Sequence, residues 1–261
     1  MPTFDRAFKN KKIVFLDLDG TVYVGDSLLP RAKDFLDCLS QKNIFTYFLS
    51  NNSSRSKRDY VKKLANLGIS SNEDRIILST DGVIEYLLER NTRHVYIVGT
   101  ESMKEMFLQV GLEVDSPTPE YIVLGFDTEL TYEKLKKATL FIQKGIRLIA
   151  THPDLVCPSP EGFIPDTGSM LALFEKATQK KPVKIFGKPN PEMVAHIIKK
   201  HDVHSQEVVM IGDRIYTDME LARKIPCDFI LVLSGETKRK DVSDLKNQPF
   251  LVVENIGSLI G

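Results

Sequence analysis

Unbroken runs of β-forming apolar residues recur along this chain between amphipathic helical stretches, and that alternation restricts the fold more than any other feature. The first run, Ile13-Val14-Phe15-Leu16, offers no polar residue to face water. It reads as a parallel strand buried on both faces. After Pro30, residues Ala32, Phe35, Leu36 and Leu39 fall at i, i+3, i+4 and i+7, the stripe of a helix with one buried face. Ile44 to Leu49 reads as a second strand. The polar loop Ser50-Asn51-Asn52-Ser53-Ser54 follows it, then a helix from Lys57 to Asn66, with Gly68 placed for a left-handed cap.

The pattern continues with strands at His94 to Val98, Tyr121 to Leu124 and Ile146 to Ala150. Helices are expected near Ser102 to Val110 and Tyr132 to Lys144, the second with Thr131 as N-cap and Gly145 at its end. Beyond Pro182 come a strand at Val183 to Phe186, a helix from Pro191 to Lys200 and a strand at Val208 to Ile211. A helix near Asp218 to Lys224 and a strand at Phe229 to Leu233 complete the series. Repeated β-α-β alternation predicts the α/β class, with parallel sheets covered by helices.

At 261 residues the chain is long enough for one large domain or two modest ones. Lys plus Arg and Asp plus Glu both number 35, so there is no electrostatic case for nucleic acid or an anionic membrane as partner. Cys38, Cys157 and Cys227 are odd in number and far apart, which fits a reducing cytoplasm better than a disulfide framework. The N-terminal residues are polar without a signal-peptide core, and no stretch approaches the ~20 apolar residues of a membrane span. A soluble, cytoplasmic protein is expected.

The unusual polar residues fall directly after the strands. Asp17-Leu18-Asp19-Gly20-Thr21 follows the first, Ser50-Asn51 the second, Gly187-Lys188-Pro189 the strand after Pro182, and Gly212-Asp213 the strand Val208 to Ile211. The carboxyl ends of an open parallel sheet converge on one edge, where ligands bind. Three carboxylates, a lysine and a hydroxyl would therefore meet in one crevice. Such an inventory suits phosphoryl transfer, which depends mainly on positioning and electrostatics. The carboxylates would repel one another without a cation, and hard oxygen ligands suit Mg²⁺. One carboxylate can act as nucleophile, and a second can protonate the leaving oxygen and later activate water.

Asp17-Leu18-Asp19-Gly20-Thr21, Ser50-Asn51-Asn52, Lys188, and Gly212-Asp213-Arg214 with Thr217-Asp218 resemble the four motifs of the haloacid dehalogenase superfamily. Leu16-Asp17-Leu18-Asp19-Gly20-Thr21-Val22, the doubled asparagine and Gly187-Lys188-Pro189-Asn190-Pro191 resemble its NagD/4-nitrophenylphosphatase branch more closely. The resemblance covers nearly the whole chain. It implies a Rossmann-like core over residues 1–79 and 183–261, with a smaller inserted α/β cap of the C2 type over residues 80–182. It also implies a phosphatase that forms an aspartyl-phosphate and acts on a small phosphorylated metabolite, as monomer or homodimer.

Carried over by position, Asp17 would be nucleophile and Mg²⁺ ligand. Asp19 would be general acid/base and bind the metal through its carbonyl, and Asp213 would complete the protein contacts to Mg²⁺. Ser50, Asn51 and Asn52 would bind substrate, Lys188 would offset charge on nucleophile and phosphate, and Asp218 would orient Lys188 or a metal-bound water. Position 50 carries serine where threonine is commoner, and the hydroxyl is kept.

Bland readings stand beside these. An isolated Asp at a strand end is most often a turn residue or cap, and an isolated Lys a solvated one. It is the ordered set that points to chemistry. His152-Pro153-Asp154 reads equally as a proline turn or a substrate contact. Asp166 to Met170 opens a helix, where Thr167 or Ser169 could be a cap, although the resemblance tips this segment toward substrate selection. His196, His201 and His204 read as surface residues, and Lys238-Arg239-Lys240 as a solvated face. A dinucleotide-binding oxidoreductase would need Gly-x-Gly-x-x-Gly after the first strand, and it is missing there. A catalytically dead phosphate-binding module would have lost Asp17 or Asp19, and a dehalogenase would not need Asp19.

Overall fold

The computed structural model describes residues 3–159, 161–243 and 245–260. The chain divides into two compact units, one of residues 1–50, 61–77 and 188–261 and one of residues 51–60 and 78–187. The division at the second motif falls immediately after Ser50 and returns within the helix Lys57–Asn66.

The first unit is built on a six-stranded sheet. Its spatial order is Leu251–Val253, Asp228–Val232, Val208–Gly212, Ile13–Asp17, Phe45–Ser50, Ile76–Leu78. The pairings from Leu251–Val253 through to Phe45–Ser50 are parallel. Strand Ile13–Asp17 is buried at every position, as an apolar run covered on both faces must be. From it the chain winds outward in one direction through Phe45–Ser50. Val208–Gly212 lies on its other flank and continues outward the opposite way. The switch point therefore lies between Ile13–Asp17 and Val208–Gly212, where an open α/β sheet leaves a crevice at its carboxyl edge.

Helices pack on that sheet. Phe15, Tyr47, Met210 and Leu231 meet Met193, Val194 and Ile197 of the helix Glu192–His201 and Leu221 of Glu220–Lys224. Elsewhere in the unit Phe4, Phe8 and Phe35 form a ring cluster, with centroids 4.6 Å apart for Phe4–Phe8 and 5.6 Å for Phe8–Phe35. Fully burying one such side chain stabilises a fold by about 1.5–3 kcal/mol.

The second unit has a four-stranded parallel sheet ordered Lys184–Ile185, Arg147–Ala150, Tyr121–Leu124, Val95–Val98. Ile122, Leu124, Leu148 and Ala150 pack on Ala138 and Ile142 of the helix Tyr132–Gln143 and on Phe174 of Thr167–Thr178. Thr131 caps Tyr132–Gln143, its side chain accepting from the Lys134 amide. An antiparallel hairpin, Val156–Ser159 with Gly162–Pro165, completes the unit. No helix among the described residues is long and apolar enough to cross a membrane.

Several elements lie outside the sequence expectations. The strands Ile76–Leu78 and Leu251–Val253 and the hairpin Tyr23–Val24 with Ser27–Leu28 are too short to set up a period. Helix Ser79–Leu88 was hidden by Gly82, which reads as a breaker. A Cβ there would meet Phe186 Cδ1 at 3.2 Å, so glycine is what lets that ring approach. The helix expected from Asp218 begins earlier, as a π-helical turn at Ile215–Met219 that leads into Glu220–Lys224. Of the three histidines expected at the surface, His196 and His204 are exposed. His201 is half-buried, with its Nε2 2.6 Å from the Tyr47 hydroxyl.

Candidate active site

Register brings the catalytic candidates of the first unit to one edge. Asp17 pairs with Leu49 and Leu16 with Ile211, so Ser50, the last residue of its strand, and Asp213, just past the end of its own, come to the same edge as Asp17. Asp17, Ser50, Lys188, Asp213 and Asp218 are all buried. Carboxylate oxygens of Asp17, Asp213 and Asp218 lie within 4.8 Å of one another.

Lys188 is what makes that crowding tolerable. Its ammonium donates to Asp17 Oδ1 and lies 2.8 Å from Asp218 Oδ1. Burial works against its charge, but Asp17 and Asp218 together outweigh this and hold the Lys188 pKa above the ordinary lysine value. The Thr21 hydroxyl donates to Asp17 Oδ2 at 3.2 Å, fixing the other oxygen of that carboxylate.

Asp218 reaches the cluster from the π-helical turn, and two features aim it. The Arg214 amide donates to Asp218 Oδ2 at 3.1 Å, and Gly212 leaves the room the carboxylate fills. A Cβ on Gly212 would sit 2.3 Å from Asp218 Oδ2. Asp213 is cradled in the same way. The Glu236 amide donates to its Oδ2 at 2.6 Å, and a Cβ on Gly235 would lie 1.9 Å from that oxygen. Gly20, at φ 87°, passes close on the other side, in a conformation that side chains disfavour. Asp213 Oδ1 is buried with no hydrogen-bond partner among the described residues.

The charges reflect this crowding. Burial, and then the charges of Asp17 and Asp218, push the Asp213 carboxyl up to about 8. Burial pushes Asp218 up to about 6, against the opposing pull of Lys188. Asp19 is exposed to solvent, yet protein atoms crowd around its carboxyl. That surrounding desolvates the carboxyl and raises its pKa, with Lys63 opposing the shift.

Residues that sequence reasoning missed support this set. The Tyr23 hydroxyl lies 3.4 Å from Asp19 Oδ2, and Lys63 Nζ sits 3.9 Å above the Tyr23 ring. Arg214 Nε pairs with Glu236 Oε2 at 3.1 Å, and the same oxygen accepts from the Tyr216 hydroxyl at 2.9 Å. Tyr23 sits beside a motif residue and could have been suspected for that reason, and Arg214 stands in the Gly212-Asp213-Arg214 motif but was given no role. Lys63 and Glu236 carry no such local signal.

The remaining sequence candidates lie in the second unit. The Asn51 side chain donates to both oxygens of Asp154 at 3.2 Å, and its carbonyl accepts from Ser79 Oγ at 2.7 Å. Asn52 Oδ1 accepts from the Ser54 amide and hydroxyl at 2.9 and 2.7 Å, an Asx turn that shapes the loop. His152 is fully buried, its ring held between Thr151 Oγ1 at 2.8 Å and Asp166 Oδ1 at 2.9 Å. Asp166 also caps the helix Thr167–Thr178, and the Ser169 hydroxyl donates to the Leu155 carbonyl at 2.6 Å. Of the two readings of these segments, the structure favours the architectural one.

Comparison with known proteins places this geometry. The family model described as haloacid dehalogenase-like hydrolase matches residues 14–113, and the HAD-hydrolase-like model matches residues 185–259. A 4-nitrophenylphosphatase of Thermotoga maritima is 41% identical, with a TM-score of 0.92, over 100% of this chain and 98% of that one. An acid sugar phosphatase of Staphylococcus saprophyticus is 30% identical over 97% of this chain and 98% of its own length.

The chain belongs to the haloacid dehalogenase-like hydrolases.

Within that family it is a phosphatase of the NagD/4-nitrophenylphosphatase type, with an α/β fold on a parallel-sheet core. A glycerol phosphate phosphatase of Mycobacterium tuberculosis, whose structure was determined with magnesium, is 26% identical at a TM-score of 0.88. It covers 100% of this chain and 79% of that one.

Proposed function

We propose that this phosphatase hydrolyses phosphomonoesters of small metabolites, with Mg²⁺ as cofactor, through a phosphoryl group carried transiently on Asp17. One observation carries the reading. Lys188 bridges Asp17 and Asp218, while Asp213 beside them keeps a buried oxygen, Oδ1, with no partner among the described residues. A buried carboxylate oxygen with no donor is costly unless a cation meets it.

The donor set fits a hard divalent ion. Asp17 and Asp213 would hold Mg²⁺ through carboxylate oxygens and Asp19 through its backbone carbonyl, all oxygen ligands. Bound there, the ion supplies positive charge that screens the carboxylates from an anionic substrate.

The residues then divide the work. An Asp17 oxygen attacks phosphorus, and the bond from phosphorus to the ester oxygen breaks with its electron pair on the leaving group. Asp19, whose raised pKa favours the protonated form, gives its proton to that oxygen. In the second step Asp19 takes a proton from water, water oxygen bonds to phosphorus, and the Asp17–phosphorus bond breaks. Lys188, fixed between two carboxylates, offsets charge on Asp17 and on the transferred group. Ser50 and the Asn51 and Asn52 segment hold phosphoryl oxygens in this reading, Asn51 through its backbone amide.

The four motifs deal with the phosphoryl group alone, so discrimination among esters falls to the second unit, residues 51–60 and 78–187, acting as cap. Relatives named for 4-nitrophenyl phosphate, sugar phosphate and glycerol phosphate support a small leaving group. The test is phosphate release over a metabolite panel with Mg²⁺, expressed as kcat/KM. Activity that persists undiminished in EDTA removes the metal from the scheme.

A further inference from the structure

A second polar cleft lies in the first unit, at the edge of the sheet opposite the catalytic residues. It has a volume of about 440 Å³ and is lined by Arg75, Phe45, Ser40, Asn43, Ser71 and Asn72, among others. Phe45 begins the strand that Ser50 ends. At about 3.3 Å per residue the two positions are separated by roughly 17 Å. An occupant of this cleft would not share the catalytic crevice.

Arg75 makes the cleft unusual. Its guanidinium carbon lies 4.8 Å from the Phe45 ring centroid and 5.0 Å from that of Tyr47, so two aromatic faces hold the group in place. Its Nη1 is buried and has no hydrogen-bond partner among the described residues. Arg214, Arg223 and Arg239 each pair with a glutamate, whereas no ion pair involves Arg75 among the described residues. Burial raises the Tyr47 pKa and nearby Asp74 adds to the rise, while Arg75 opposes it through its charge and a hydrogen bond to the Tyr47 hydroxyl. On the other side, burial lowers the His201 pKa first, and the charges of Lys200 and Arg75 lower it further, so both cations lie near the Tyr47–His201 contact.

A planar guanidinium that pairs with no carboxylate among the described residues is the group that best matches the paired oxygens of a carboxylate or phosphate. Ser40, Ser71, Asn43 and Asn72 add hydroxyl and amide groups around it, and Phe45, 41% exposed, offers an apolar wall for a carbon body. We propose that this cleft binds a small organic oxyanion, its carboxylate or phosphate group on Arg75 and its body against Phe45. The assignment is independent of the catalytic reading, because none of its residues belongs to the four motifs.

Amide chemical shifts of the full chain in EDTA test it, with inorganic phosphate titrated in one arm and acetate in the other. Signals of Ser70, Ser71, Asn72 and the Arg75 Nε–H group should move and saturate with a dissociation constant in the millimolar range. Arg75→Gln, which keeps donors but loses the charge, should weaken this response about tenfold or more. Arg75→Lys should retain part of it. Signals at Gly20, which report the catalytic crevice, should respond to phosphate equally in wild type and both variants. Saturation in the phosphate arm alone assigns a phosphorylated ligand, and in the acetate arm alone a carboxylate. Absence of a saturable shift at Ser70 to Asn72 in both arms, or an undiminished shift in folded Arg75→Gln, means that water alone fills the cleft and overturns the proposal. If Arg75→Gln does not fold, the wild-type titration decides alone.

Discussion

Lys188 Nζ and Asp218 Oδ1 lie 2.8 Å apart, with side chains 3% and 0% exposed. Removing one partner of such a pair leaves the other charge buried and uncompensated, which typically costs 3–5 kcal/mol. Asp218→Asn leaves Lys188 with Asp17 still as a partner, so it should lower stability by less than that, about 1–2 kcal/mol, measured by urea unfolding, and reduce kcat. Lys188→Met should leave three carboxylates with no fixed cation among them. Its stability should fall as well, and Mg²⁺ should restore more of it than in wild type. A loss below about 0.5 kcal/mol in Asp218→Asn would show that solvent reaches the pair and that it does not organise the site.

Metal affinity should depend strongly on pH. The Asp213 carboxyl, raised to about 8, holds a proton through the neutral range in the metal-free protein, and a ligand must lose its proton to bind. Mg²⁺ affinity should rise up to about tenfold per pH unit from pH 6 towards 8 and then level off. Calorimetric titration in buffers of different ionisation enthalpy would show the proton released. An affinity flat from pH 6 to 8 would mean that Asp213 is already ionised without metal.

The same shift fixes the sign of a stability effect. The folded Asp213 carboxyl, pushed up to about 8, stands well above the ordinary aspartate value of about 3.9, so the folded state binds the proton more tightly than the unfolded chain. The stabilisation is complete below the unfolded pKa and is lost as pH rises through about 8. Metal-free protein should lose stability between pH 5 and 8, by at most about 1.4 kcal/mol per pH unit for this one group. Asp213→Asn should flatten the profile. A wild-type profile that rises over this range, with the variant unchanged, would locate the controlling group elsewhere.

His152 was a candidate for substrate contact in the sequence, and its surroundings point another way. With both ring nitrogens engaged and the side chain fully buried, His152→Ala leaves Thr151 and Asp166 short of a partner and opens a cavity. A loss of about 2–5 kcal/mol in thermal unfolding is expected. The values of kcat/KM for different esters should fall by one common factor. Unequal losses across a substrate panel would return His152 to the role of selecting substrates.

The catalytic set was legible in the sequence because strand periodicity locates carboxyl ends, and rare polar residues at such ends are few. Asp17, Ser50 and Asp213 were placed that way, and parallel register brings their positions to one edge. The strand before Lys188 pairs in the second unit's sheet, so strand ends alone did not place the lysine. Side-chain partners were not legible. Nothing in the Asn51-Asn52 pair says that one side chain binds Asp154 while the other closes a local turn. Nor does any pattern announce Lys63 over Tyr23, since a lysine on an amphipathic helix reads as solvated. Short strands such as Ile76–Leu78 escape for a simpler reason, since three residues contain no period to detect.

The central claim is that Asp17 attacks phosphorus, and the turnover of Asp17→Asn at saturating Mg²⁺ tests it most directly. Asparagine keeps the shape of the side chain, and Asp218 remains to pair with Lys188, so the variant should fold. Removing the nucleophilic charge should lower kcat by roughly a thousandfold or more on every ester, with circular dichroism unchanged. A folded Asp17→Asn protein that hydrolyses phosphate esters at near wild-type rate would contradict the account.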